Sequence, residues 1–287
     1  MLAKDLRIGK RNYNLDSARP ASVGTTETRN RFMQKQLIQA DQLASQLLLG
    51  SKWAPVTNTL SFINAPLEEA AKVWHEWNQS KAQNKDDALM IEATGTLEEQ
   101  FARLVPLDSG GRHLFLETKN PEWTAAVNNS VSGPDLSSML YFRYSQARGI
   151  RSVTVTEIPH SVDKKSYPEY RGRYGVRKIM VMGSEEFASY VSLVNDDRWV
   201  FDRDGTAFAD FEDKEAYKSV RATDRFTHDM LVRYCQNLGL DPFNEDFYVP
   251  NGRGILVDFN NHSKNKTFTL AEARAGRENR DIPPVGR

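Results

Sequence analysis

The alternation of apolar and polar positions divides the chain into short extended runs and amphipathic stripes. From Arg29 onward, Phe32, Leu37, Ala40, Leu43, Leu47 and Leu48 approximate one helical face that stops at Gly50. Thr57 to Ile63 reads as a strand. After it Pro66 takes a first-turn position, and Leu67, Ala70, Ala71, Trp74 and Trp77 mark the buried side of a helix. Lys81 to Asp87 is a charged connector and Ala88 to Ala93 a second strand. Thr96, with Glu99 three residues on, then forms a capping box ahead of Phe101, Leu104 and Val105. Leu-Glu-Glu opens both helices, at Leu67 and again at Leu97, 30 residues apart. That period fits a repeated strand–helix unit, but the surrounding residues do not repeat, and good helix-start chemistry used twice accounts for the tripeptides.

Further along, His113 to Glu117 and Trp123 to Val127 read as strands. Asp135 stands at an N-cap before the apolar face of Leu136, Met139, Leu140 and Tyr144, and Gly149 terminates that helix. Arg151 to Ile158 alternates as a strand, and the strand–helix–strand order predicts a crossover with parallel strands in part of the sheet. Tyr174 to Met182, Tyr190 to Val194 and Arg198 to Phe201 also read as strands. Asp202 to Gly205 reads as a hairpin turn returning through Thr206 to Phe208. Thr227 caps a last helix bearing Met230, Leu231, Tyr234 and Leu238 and ending at Gly239.

These elements predict an α/β or α+β protein: a mixed β-sheet with flanking helices and an N-terminal helical extension. Residues 1–28 form a flexible lead, 29–50 the N-terminal helix, 51–160 a βα-repeat subdomain and 161–173 a polar loop or boundary. A β-rich subdomain with a terminal helix spans 174–260, and a loose charged tail spans 261–287.

The segments Gly172 to Lys178, Arg198 to Gly205, Phe211 to Tyr217 and Asp224 to Leu240, with Trp123, Thr124 and Ala125 upstream, resemble an uncharacterised family of bacterial proteins. The likeness covers roughly residues 57 to 249. It implies a bacterial or phage-related origin and brings no catalytic residues, because the family has no established activity.

Composition narrows the chemistry. Thirty-eight basic and thirty-eight acidic residues cancel, which removes the broad attraction used by general nucleic-acid and polybasic membrane binders. Cys235 is the only cysteine, so neither an internal disulfide nor a multi-thiolate zinc site can form, and its apolar surroundings suit a buried small hydrophobe. Met1 to Asn14 lacks the apolar core of a secretory signal, and Leu43 to Leu49 is interrupted by Ser45 and Gln46. A cytoplasmic, non-membrane protein is expected.

No two of His75, His113, His160, His228 and His262 have metal-ligand spacing, so no metal is expected, and Gly172 and Gly175 lack the lysine-serine or lysine-threonine ending of a nucleotide loop, so no cofactor is expected either. His160 follows a strand end and has Glu157 nearby, which makes the two candidates for acid/base work. Arg171, Arg173 and Arg177 interleave with Tyr170 and Tyr174, a mixture suited to a protein interface, an anionic ligand or stacked bases. The leading expectation is a non-enzymatic inhibitor or immunity-like factor that binds another protein through Tyr170, Arg171, Arg173, Tyr174 and Arg177. The N-terminal helix is available for homo-oligomer contacts. A hydrolase or transferase on a phosphate-bearing substrate ranks second and single-stranded nucleic-acid binding third.

Overall fold

The computed structural model describes residues 39–50, 52–82, 87–162, 173–183, 189–205, 211–259 and 266–278. The strands are β1 (Thr59–Ile63), β2 (Ala88–Thr94), β3 (Arg112–Glu117), β4 (Thr124–Asn128) and β5 (Ser152–Ile158), followed by β6 (Val176–Met182), β7 (Ser189–Asp196), β8 (Arg198–Asp204) and β9 (Arg253–Phe259). They make one sheet in the order β2-β9-β3-β4-β1-β5-β6-β7-β8. The longer helices are α1 (Leu67–Lys81), α2 (Leu97–Ala102), α3 (His228–Asn237) and α4 (Leu270–Glu278). A further helical run is π-helical over Leu140–Ser145, between single turns at Ser137–Met139 and Gln146–Arg148.

Both faces of the sheet are covered because its central strands are apolar on both sides. Leu60, Phe62, Leu114, Leu116, Val153, Val155, Ile179 and Leu193 point to one face, where α2, α3 and Leu48 pack. Ile63, Phe115, Ala126, Met180, Ile255 and Val257 point to the other, under α1 and the 137–148 run. Burying each large apolar side chain contributes about 1.5–3 kcal/mol, which is why β1, β4 and the strands beside them occupy the middle of the sheet.

Every ladder between these strands is antiparallel, which corrects the expected parallel pairing. The crossovers themselves are present, since β4 and β5 run in the same direction with β1 between them. Likewise β1, β2 and β3 share one direction, and β9 separates β2 from β3. The move from β1 to β2 carries α1 on one face, and the return to β3 carries α2 on the opposite face. The β4-to-β5 connection, on oppositely directed strands, lies on the face of α1, so all three crossovers have the same hand, as twisted sheets require.

Other corrections are local. Asp202 and Asp204 lie within β8, and the hairpin turns instead at Asp197, whose φ is 61°. Arg253 to Phe259, not assigned from sequence, is a strand, and Leu270 to Glu278 is helical within the stretch expected to be loose. Of the N-terminal helix, residues 39–44 are helical and turns carry the chain to Gly50. Its first part, Thr206 to Phe208, Tyr170 and Arg171 lie outside the described residues.

Candidate functional site

Glu157 and Arg177 are register partners across the β5–β6 ladder, so both side chains leave the sheet on the α3 face. Arg177 donates from Nε to Glu157 Oε2 at 2.6 Å and from Nη2 to Oε1 at 2.9 Å, while its Nη1 donates to the Phe226 carbonyl at 2.8 Å. His228, the first residue of α3, places Nδ1 3.4 Å from Glu157 Oε2. The Glu157 side chain is 2% exposed and that of Arg177 13%. A desolvated carboxylate and guanidinium persist only with complementary, hydrogen-bonded geometry, and this fork supplies it. The trio therefore fastens the start of α3 to the sheet. Both Glu157 oxygens are committed, an arrangement suited to holding structure more than to exchanging protons with a substrate.

His160 follows Pro159 at the end of β5. Its Nδ1 accepts the Gly175 backbone N–H at 3.1 Å, so the ring is neutral in this arrangement with its proton on Nε2. Its ring lies 5.6 Å from Trp199, edge to face, and 6.3 Å from Tyr174. Gly175 is required here by packing: a Cβ would stand 2.7 Å from the His160 Cβ and overlap the Trp199 indole. A residue expected to be an ordinary acid/base candidate on a loop is thus part of a packed junction between β5, β6 and β8.

A cavity of about 210 Å³ opens over this junction, lined by Glu157, His160, Arg177 and Trp199, with Gln39 and Leu43 closing it from the N-terminal helix. A second cavity, of about 120 Å³, lies on the other side of that helix and is lined by Asp41, Asn58, Ser161, Arg173 and Arg274, with Ala40 bordering both. The structure thus brings Glu157, His160 and Arg177 together and places Arg173 next door, with the Tyr174 ring tilted at 43° to that of His160. Since Glu157 matches the Arg177 charge at close range, this fork offers an anionic ligand no surplus positive charge.

Sequence reasoning missed a second buried fork. Arg203 donates from Nε and Nη2 to Glu212 at 3.2 and 3.1 Å, and the Glu212 side chain has no solvent exposure. The Tyr217 hydroxyl donates to Glu212 at 3.3 Å and lies 3.0 Å from that of Tyr234, which accepts the Asp213 N–H at 2.6 Å. Burial first, and then its bond to Tyr234, raise the Tyr217 pKa well above the phenol range. Cys235 on α3 is buried, and burial likewise pushes its thiol up, in keeping with a hydrophobic role. Spacing gave no sign of either fork.

The two sheet edges contrast sharply. β8 carries Arg198, Asp202, Arg203 and Asp204 among its seven residues, the charged composition that discourages edge pairing. β2 carries only Glu92, and its Leu89, Met90 and Ile91 are 38, 47 and 40% exposed. Among the described residues no strand pairs with the outer side of β2. At its Thr94 end Arg253 meets Glu68 at 2.7 Å, Glu117 at 3.0 Å and Glu92 at 3.6 Å.

Among the described residues no group of three or more His, Cys, Asp or Glu side chains is arranged to hold a metal, and no helix is long and apolar enough to cross a membrane. No family model, curated protein or solved structure matches this chain.

Proposed function

We propose that the protein acts by binding another protein, as an inhibitor or immunity-like factor of bacterial or phage origin, and that the contact is made by strand addition to β2. The observation that carries this reading is the run of three exposed apolar residues, Leu89 to Ile91, on an edge strand without proline or lysine. Beyond the Ala88 carbonyl, which lies 3.0 Å from His75 Nε2, an edge of this composition offers backbone groups and apolar area together, the combination used in β-augmentation. The commitment of Glu157 to Arg177, and of His160 Nδ1 to Gly175, supports a binding role over catalysis. The hydrolase or transferase reading draws on the cavity shared by Glu157, His160 and Arg177. It ranks second because it needs Glu157 to exchange protons while held by a guanidinium.

Affinity capture from the native host with the full chain tests the proposal. Ile91→Lys should abolish recovery of specific partners, whereas Val200→Lys on the charged β8 edge should leave it intact, both variants keeping wild-type circular dichroism. Unchanged partners with Ile91→Lys would show that β2 is not the contact.

A further inference from the structure

On the basis of strand addition at β2, we infer that the partner contributes an antiparallel strand that is apolar on both faces at its centre and carries a lysine or arginine opposite Glu92. The direction follows from the sheet, in which every ladder is antiparallel. The apolar requirement follows from side-chain alternation. Leu89 and Ile91 share the face of buried Ala93, while Met90 lies on the other face with Glu92, so exposed apolar surface flanks the edge on both sides. A partner strand that alternated strictly between apolar and polar residues would cover only one of these faces.

The charge requirement comes from the Thr94 end of β2, where Glu68, Glu92 and Glu117 surround the single guanidinium of Arg253. Three carboxylates against one cation leave negative charge in excess, and Glu68 and Glu92 have side chains 62 and 65% exposed. The helix starts sharpen this asymmetry. Because β1 and β2 run in the same direction, α1 and α2 begin at this one end of the sheet, bringing Glu69, Glu98 and Glu99 to it, with Lys52 pairing Glu98 and Glu99 closing its own capping box. Opposite charges directly across a ladder attract and like charges repel, so a cation opposite Glu92 fixes the register of the incoming strand. A second copy of this chain fits less well. Pairing about Ile91 would set Met90 opposite Glu92 and bring the acidic Thr94 end of each copy to the opposite end of β2, where Asp87 precedes the strand.

Short synthetic peptides titrated against the full chain provide the test: an apolar-centred strand with lysine placed to face Glu92, the same peptide with glutamate there, and a scrambled control. The lysine peptide should bind about fivefold more tightly than the glutamate peptide, a preference erased in Glu92→Gln and weakened by salt. Its binding should slow amide exchange in β2 and leave β8 unaffected. Equal binding of the lysine and glutamate peptides would overturn the charge inference while leaving strand addition standing. No peptide binding, or a concentration-dependent dimer that protects β2 in its place, would overturn the partner assignment. Failure of strand addition itself is read separately, from partner capture by Ile91→Lys.

Discussion

On β3, His113 stands with its ring 4.9 Å from the Trp74 indole and 7% of its surface exposed, so protonation would put a cation into apolar packing. Burial lowers its pKa to about 4, against the smaller upward pulls of Asp108 and the Gly111 backbone. With the unfolded value near 6.5, the unfolded chain binds more protons between these limits. The stabilisation from neutral His113 is therefore complete above pH 6.5 and is lost as the pH falls towards 4, by up to about 3 kcal/mol. Urea midpoints measured across this range should fall more steeply for wild type than for His113→Phe; parallel curves would refute the assignment. Nothing in the sequence distinguished this histidine beyond its place in a strand, whereas His160 drew attention by following one. Burial depends on what lies across the sheet, and the Trp74 contact joins residues too distant in the chain for spacing to reveal.

At the level of elements, starts and caps were legible because their chemistry is local. The Thr96–Glu99 capping box is closed by bonds of 2.7 and 3.4 Å, and Thr227 accepts the Met230 N–H at 3.2 Å. Cross-strand partners were not legible: Glu157 and Arg177 meet only because β5 and β6 pair in one register across the 161–173 connection. In β8, Asp202 and Asp204 before Gly205 mimic turn chemistry, but the pairing of Asp202 with Ser192 and Asp204 with Tyr190 keeps them extended. The Glu157–Arg177 fork makes a quantitative prediction. Arg177→Leu should cost about 3–5 kcal/mol by stranding a buried carboxylate, and Glu157→Leu should cost a similar amount by stranding the guanidinium. The double variant should be far less destabilised than the two single effects combined, because it leaves neither charge alone. Chemical denaturation of the four proteins checks this, and additive losses would mean that the pair is not the clamp its geometry describes.

For the molecule as a whole, the order of strands in space departs from their order in the chain, and this sets how it unfolds. β9 comes last in sequence yet lies between β2 and β3, so the sheet is incomplete until residue 259 has returned to the N-terminal half. β1, from the first half of the chain, pairs with β5, which pairs with β6 beyond the connection, and one core joins Leu60 and Phe62 to Ile179, Leu193 and Leu231. Local periodicity could place β1, β5 and β6 singly but neither found β9 nor ordered the strands, because an antiparallel insertion such as β9 leaves no trace in the spacing of its neighbours. Removing either half would expose the apolar side chains of the other, which couples the halves energetically. Urea unfolding of the full chain should accordingly be a single transition, with tryptophan fluorescence and far-ultraviolet circular dichroism coincident. Because the pairings are so distant in sequence, refolding should be slow compared with a helical bundle of similar size. Trp53, Trp74, Trp77 and Trp123 report the N-terminal half and Trp199 the C-terminal half. A Trp199-only variant should therefore show the same midpoint as circular dichroism, and a separate, lower midpoint for Trp199 would show that β6 to β8 unfold before the rest of the sheet.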